Sequence, residues 1–180
     1  MVNSGSTGTN QLSGAWSSPS SLNNMVSGLA NGADKTYSCG IGAPCNGSGP
    51  YGTDAAPQIT YVNGDFNFGS TSGAGVLIVT GTLNISGNSS FDGLILVIGQ
   101  GAIVENGGGG GQFNGSIFLA NTMNWTAGST PPSGTQLASL GTPTIAWNGG
   151  GTNGIQYNSC WASIGNNMHY LVVASREEMY

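Results

Sequence analysis

Phe91-Asp92-Gly93-Leu94-Ile95-Leu96 is followed along the chain by Phe113-Asn114-Gly115-Ser116-Ile117-Phe118. Both stretches run from an aromatic residue through an acid or amide and a glycine into an apolar segment. A weaker copy comes earlier, where Ser72-Gly73 leads into Ala74-Gly75-Val76-Leu77-Ile78. Gly75, Gly93 and Gly115 then align, which sets a period of roughly 20 residues. Apolar rungs at that spacing, separated by Gly and Asn corners, are what a parallel β-helix requires. Each coil lays its strands on the coil before it, and the inward side chains fill a narrow core. The sequence therefore predicts a mainly β fold built as a short parallel β-helix-like stack. An antiparallel β-meander or sandwich of the same short strands is the alternative.

Working outward, period-2 segments recur on both sides. Ile59–Val62, Asp65–Phe68, Val76–Val79, Leu83–Ile85, Leu94–Ile98, Ala102–Val104 and Ile117–Leu119 are each short and bounded by Gly, Asn or Ser. Asn63-Gly64 carries the strongest of the tight-turn signals. Gly107–Gly111 reads as a loop bulging from the third coil, because no Lys or Ser/Thr follows at the spacing of a phosphate-binding loop. Beyond Asn121 the pattern loosens into a Pro131-Pro132-Ser133-Gly134 loop, strands at Pro143–Trp147 and Ile155–Tyr157, and a last strand at Tyr170–Ser175.

Before the stack the period changes to that of a helix. Ser18 is placed to N-cap, Pro19 suits the first helical position, and Leu22, Met25, Val26 and Leu29 form one apolar stripe that Gly32 ends. Residues 1–17 read as an irregular lead-in, residues 32–57 as a long loop, and 18–180 as one β-rich domain.

Charge is scarce. Charged residues make up 5% of the 180-residue chain, against about 25% in ordinary domains, while 38% of residues are apolar. A surface of Gly, Ser, Thr and Asn suits a protein outside the cell or inside an assembly, since a cytosolic monomer keeps apart from its neighbours by charge. Two Lys and Arg residues in all exclude nucleic acid as a partner, because phosphate neutralisation needs several. No apolar run approaches the ~20 residues of a membrane span. Met1-Val2-Asn3-Ser4 has neither the basic nor the apolar region of a leader, so an extracytoplasmic location implies a leader either lost in maturation or left out of this sequence.

Three cysteines remain. Cys39 and Cys45 flank a loop flexible enough to close as a disulfide, contributing about 2 kcal/mol by the chain-entropy model. Cys160, beside Trp161, then reads as a small buried apolar residue.

Several separated stretches resemble the soluble region of PilX-type type IV pilus assembly proteins. They are Ile59–Asp65, Gly75–Leu83, Phe91–Gly99, Gly141–Trp147, Tyr157–Trp161 and Ser175–Glu178, in that order. The resemblance implies a minor pilin-like ectodomain, located in the periplasm or at the cell surface, with pilin subunits or further copies of itself as partners. Such proteins carry an N-terminal hydrophobic helix that anchors them in the membrane and packs in the pilus core. No such helix is read at the start of this sequence, so the resemblance implies either that it was removed or that the chain works without it. The family offers no catalytic residues to carry over.

The residues themselves point away from catalysis. The single histidine, His169, would have to serve any Ser-His-Asp arrangement. Asp92 and Glu105 are the only acids between Ile78 and Thr144, too few for a paired-carboxylate hydrolase at a cleft. Asp34, Asp54 and Asp65 fall in no loop with calcium-ligand spacing. The reading is no enzyme, no cofactor and no metal. The second functional class is a glycan- or surface-binding adhesin module, in which Trp16, Trp125, Trp147, Trp161, Tyr51, Tyr61 and Tyr157 supply stacking faces. Core packing is the ordinary role for such rings.

Overall fold

The protein was analysed as a computed structural model, which describes residues 16–47, 49–148 and 154–162. The lead-in up to residue 15, the Tyr170–Ser175 strand, His169 and the Arg176–Glu178 cluster lie outside the described residues.

The helix forms where its stripe predicts. α1 spans Pro19–Asn31, with the Ser18 hydroxyl accepting a hydrogen bond from the Ser21 N–H at 3.3 Å and Gly32 at its end. From there the chain alternates between two sheets. β1 (Lys35–Ser38), β3 (Gln58–Asn63), β5 (Ser72–Val79), β7 (Ser90–Gly99) and β9 (Gln112–Trp125) pair in that order, all parallel. The strands between them, β2 (Cys45–Asn46), β4 (Phe66–Gly69), β6 (Thr82–Ser86) and β8 (Ala102–Glu105), form a second parallel stack. This is a β-solenoid, and the antiparallel alternative is excluded for the stack.

The glycine ladder defines its register. Gly75 pairs with Gly93, and Gly93 with Gly115. All have positive φ, at 123°, 149° and 143°. A Cβ on each would strike the backbone carbonyl of the coil before: Gln58 for Gly75, Gly75 for Gly93, Gly93 for Gly115. Glycine is required here by backbone conformation and by coil-to-coil contact alike. The Gly107–Gly111 run also lies tight rather than bulging as expected. Added Cβ atoms at Gly107, Gly109 and Gly111 would meet the backbone of Gly87–Ser89, and the Gly110 N–H donates to Asn88 Oδ1 at 2.8 Å. The run is a loop stacked on the loop of the coil beneath.

Two apolar layers hold the solenoid. Inside it, Val62, Phe66, Phe68, Leu77, Val79, Leu83, Ile85, Phe91, Ile95, Val97 and Phe113 form one cluster. Outside the first sheet, Leu22 and Val26 of α1 bury Ile59, Val76, Ile78, Leu96 and Ile98. The expectation that alternate strand residues point inward thus holds, and the other set is buried too, under the helix. That explains why β5 and β7 read as continuous apolar runs. α1 packs on this side face and contacts β3, β7, β9 and β10 (Gly134–Gly141). It does not cap an end of the stack, because its stripe matches the apolar outer face of the sheet.

Three further expectations change. Residues 32–57 contain β1 and β2 rather than loop alone, since Lys35–Ser38 continues the ladder with one inward aromatic, Tyr37. Asn63-Gly64 makes a corner between the two sheets and not a hairpin, because β3 and β4 pair with other strands. The loop expected around Pro131–Gly134 leads into β10, which pairs antiparallel with the far end of β9. The tip of this hairpin returns to the first coil, where Gly128 N–H donates to Ile41 O at 2.8 Å and Ile41 N–H to Ser129 O at 3.0 Å.

After the hairpin the stack resumes. β11 (Thr144–Trp147) adds in parallel to β8, and β12 (Gly154–Tyr157) to β9. A one-turn helix, α2 (Ser159–Ala162), follows, its first N–H groups donating to Asn158 Oδ1.

Candidate functional site

The described acids are dispersed, and Asp34, Asp65 and Glu105 are committed to backbone N–H groups. Asp65 Oδ2 accepts from Gly42 N–H at 2.6 Å and Oδ1 from Thr82 N–H at 2.7 Å, which ties the first three coils at one corner. Asp34 accepts from Ile59 N–H at 2.7 Å, and Asp92 bonds the Asn114 amide one coil later at 2.6 Å. Glu105 is enclosed and accepts from Gly107 N–H at 2.9 Å. Among the described residues no three His, Cys, Asp or Glu side chains gather, and no helix is long and apolar enough to cross a membrane.

Cys39 and Cys45 are joined, with their Cα atoms 5.4 Å apart. Cys39 is buried in the solenoid core beside Tyr37, Tyr51 and Phe66, so the disulfide closes the first coil. Such a bond fits an oxidising compartment. Cys160 takes no part in it and is exposed, which corrects the expected burial. Its helix α2 lies outside the solenoid core.

The aromatic residues separate into three settings. Tyr51 is buried with Phe66 and Phe68; burial, and secondarily the neighbouring Tyr37, push its hydroxyl up to about 12. Trp16 is 37% exposed and packs edge-on against Phe118 at 4.7 Å between centroids, while Trp147 leans on the inner core. Trp161 is half-buried on α2.

Tyr61 and Trp125 come together in a groove beside α1, closed on its far side by the β9–β10 hairpin. Its volume is about 290 Å³. The Trp125 indole N–H donates to Thr80 O at 3.0 Å, which fixes the ring. Asn23 of α1 bridges the hairpin, accepting from Thr122 Oγ1 at 2.7 Å and donating to Gln136 Oε1 at 2.9 Å. Burial raises the Tyr61 hydroxyl above its ordinary value. Sequence reasoning missed Asn23 and Gln136, because two polar residues far apart in the chain carry no pattern.

Tyr157 belongs to the third setting, the last coil. Ile145 registers with Ile103, Ile155 with Phe113 and Tyr157 with Gly115, so all three occupy core-directed positions. Ile103 and Phe113 are buried, yet Ile145, Ile155 and Tyr157 are 65%, 53% and 74% exposed. The described residues place no further coil over them. Comparison with protein-family models, with curated proteins and with solved structures yields no match to this chain.

Proposed function

We propose that this chain is a non-catalytic structural module, minor pilin-like in role, that docks by the open end of its solenoid onto a component of an extracytoplasmic surface fibre. The carrying observation is the exposure of Ile145, Ile155 and Tyr157 at positions whose counterparts one coil earlier are core. Exposed apolar residues on strands whose outer edge has no neighbour among the described residues form a template for further pairing. β11 and β12 contain no charged residue to blunt that edge.

The opposite end supports a single point of attachment. β1 carries Lys35, whose Nζ donates to Pro50 O at 2.7 Å, and β2 is only two residues long. Lysine, proline and short strands are the devices that block edge pairing. One blocked end and one open end favour a terminal contact over head-to-tail growth. In isolation the same open face pairs with a second copy and closes as a two-fold dimer. The commitment of Asp34, Asp65 and Glu105 to backbone amides, and of Asp92 to the Asn114 side-chain amide, supports a structural role for the acids. The resemblance to PilX-type proteins gives the fibre its proposed kind, and the disulfide fits its compartment.

Size-exclusion chromatography with light scattering across a concentration series tests this. The mass should rise from monomer to dimer and stop there. A monomer at every concentration, or unlimited growth, would overturn end-on docking.

A further inference from the structure

The groove between α1 and the hairpin is chemically unlike the open end, and nothing in the structural role requires it. It lies on the side face, beneath the crossing of α1 and β10. Its walls carry Tyr61, Asn63, Thr80, Ile98, Trp125 and Gln136. We propose that it is a binding site for a neutral carbohydrate, a mono- or disaccharide unit of a surface glycan.

Three features select that class. The first is size: about 290 Å³ lies just below the ~300–1,000 Å³ range of pockets for drug-sized ligands, which suits a small ligand. The second is charge. Among the described residues no Lys, Arg, Asp, Glu or His lines the groove, so an ionic ligand would lose hydration without a counter-charge. The third is the division of its surface. A pyranose has an apolar C–H face and a rim of hydroxyls. The indole of Trp125, with Ile98 beside it, offers the apolar side.

The polar side is open for bonding. Asn63 Oδ1 already accepts from Thr80 Oγ1 at 3.1 Å, and Gln136 Oε1 from Asn23, which leaves both amide NH₂ groups as donors without partners among the described residues. The Tyr61 hydroxyl likewise makes no hydrogen bond among the described residues. A purely apolar ligand would desolvate these groups without replacing their bonds. A peptide adding as a strand would need an open edge, whereas side chains line this groove. The Trp125–Thr80 and Asn23–Gln136 bonds hold the walls in place before a ligand arrives, which lowers the ordering cost of binding.

The test is a two-dimensional amide NMR titration of the full chain with glucose, galactose, N-acetylglucosamine and their β-linked disaccharides. Glucuronate and a Gly-Ser peptide serve as comparison ligands. At least one neutral sugar should produce saturable shifts at Tyr61, Thr80, Trp125 and the Trp125 indole N–H. Trp125→Ala and Gln136→Ala should each weaken binding about tenfold, and Tyr61→Phe about threefold. Gln136 lies on the hairpin away from both cores, so Gln136→Ala keeps the test decisive if Trp125→Ala fails to fold. The proposal is overturned if no neutral sugar shifts these resonances, if glucuronate or the peptide binds in preference, or if Gln136→Ala and Tyr61→Phe bind like the parent chain. None of these results bears on end-on docking, which involves the other face.

Discussion

The first and last coils of this solenoid are built from the same kind of short parallel strand, but they finish differently. At the first coil the core is closed by covalent and polar ties. The Cys39–Cys45 bond, the Asp65 Oδ2 that accepts from Gly42 N–H and the hairpin tip at Ile41 all converge on one loop. At the last coil the strands pair in register, yet Ile145, Ile155 and Tyr157 at its core-directed positions are exposed. A repeat protein needs its terminal units capped because each unit buries only what its neighbours cover. The difference assigns closure to one end and association to the other.

The harshest way to break the comparison is to disrupt the coil between the two ends. Gly93→Val places a branched side chain at φ 149° and against the Gly75 carbonyl. We expect a loss of about 4 kcal/mol or more, read by denaturant unfolding, with both ends disordered together. A loss confined to one end would show that the coils fold independently.

Reducing the Cys39–Cys45 bond acts on the first coil alone. The expected cost is about 2 kcal/mol in the same assay, with the last coil's association unchanged. Tyr51 sharpens the same end. Its hydroxyl is buried without a hydrogen-bond partner among the described residues. Tyr51→Phe should therefore be neutral or stabilise by up to about 1 kcal/mol in thermal melts. The pH response has a definite sign. The folded protein holds the Tyr51 proton up to about 12, whereas the unfolded chain releases it near the ordinary tyrosine value of 10.0. The folded state binds the extra proton in that interval, so stability is intact below pH 10 and declines as pH rises toward 12. Tyr51→Phe should flatten that decline relative to the parent chain.

The smallest effect on stability belongs to the last coil. Ile145 and Ile155 are exposed, so Ile145→Lys with Ile155→Lys should change unfolding free energy by about 0.5 kcal/mol or less. The same pair should abolish dimerisation. A large destabilisation would mean that these residues are core and not a docking face.

Much of this architecture was legible in the repeat. The glycine ladder predicted the parallel register, because a residue that only glycine can be recurs where coils touch. Ser18, Pro19 and the Leu22–Val26 stripe predicted α1 by capping chemistry and periodicity. The disulfide followed from a short, flexible loop. Other elements left weaker marks. β1 carries one apolar residue and β10 three without strict alternation, and both take their strand form from the neighbour they pair with. Asn63-Gly64 looks the same in a hairpin and in a solenoid corner, since both demand a tight reversal. The groove was half visible: Tyr61 and Trp125 were candidates for stacking, but their meeting depends on the hairpin folding back across the coils. The exposure of Ile145 and Ile155 was invisible, because an apolar residue in a strand reads as core until its neighbours are placed.

Hydrogen–deuterium exchange at low and high protein concentration tests the asymmetry most directly. Peptides spanning 144–147 and 154–157 should gain protection as concentration rises, while those spanning 35–46 stay unchanged. Equal change at both ends, or none at the last coil, would contradict the account.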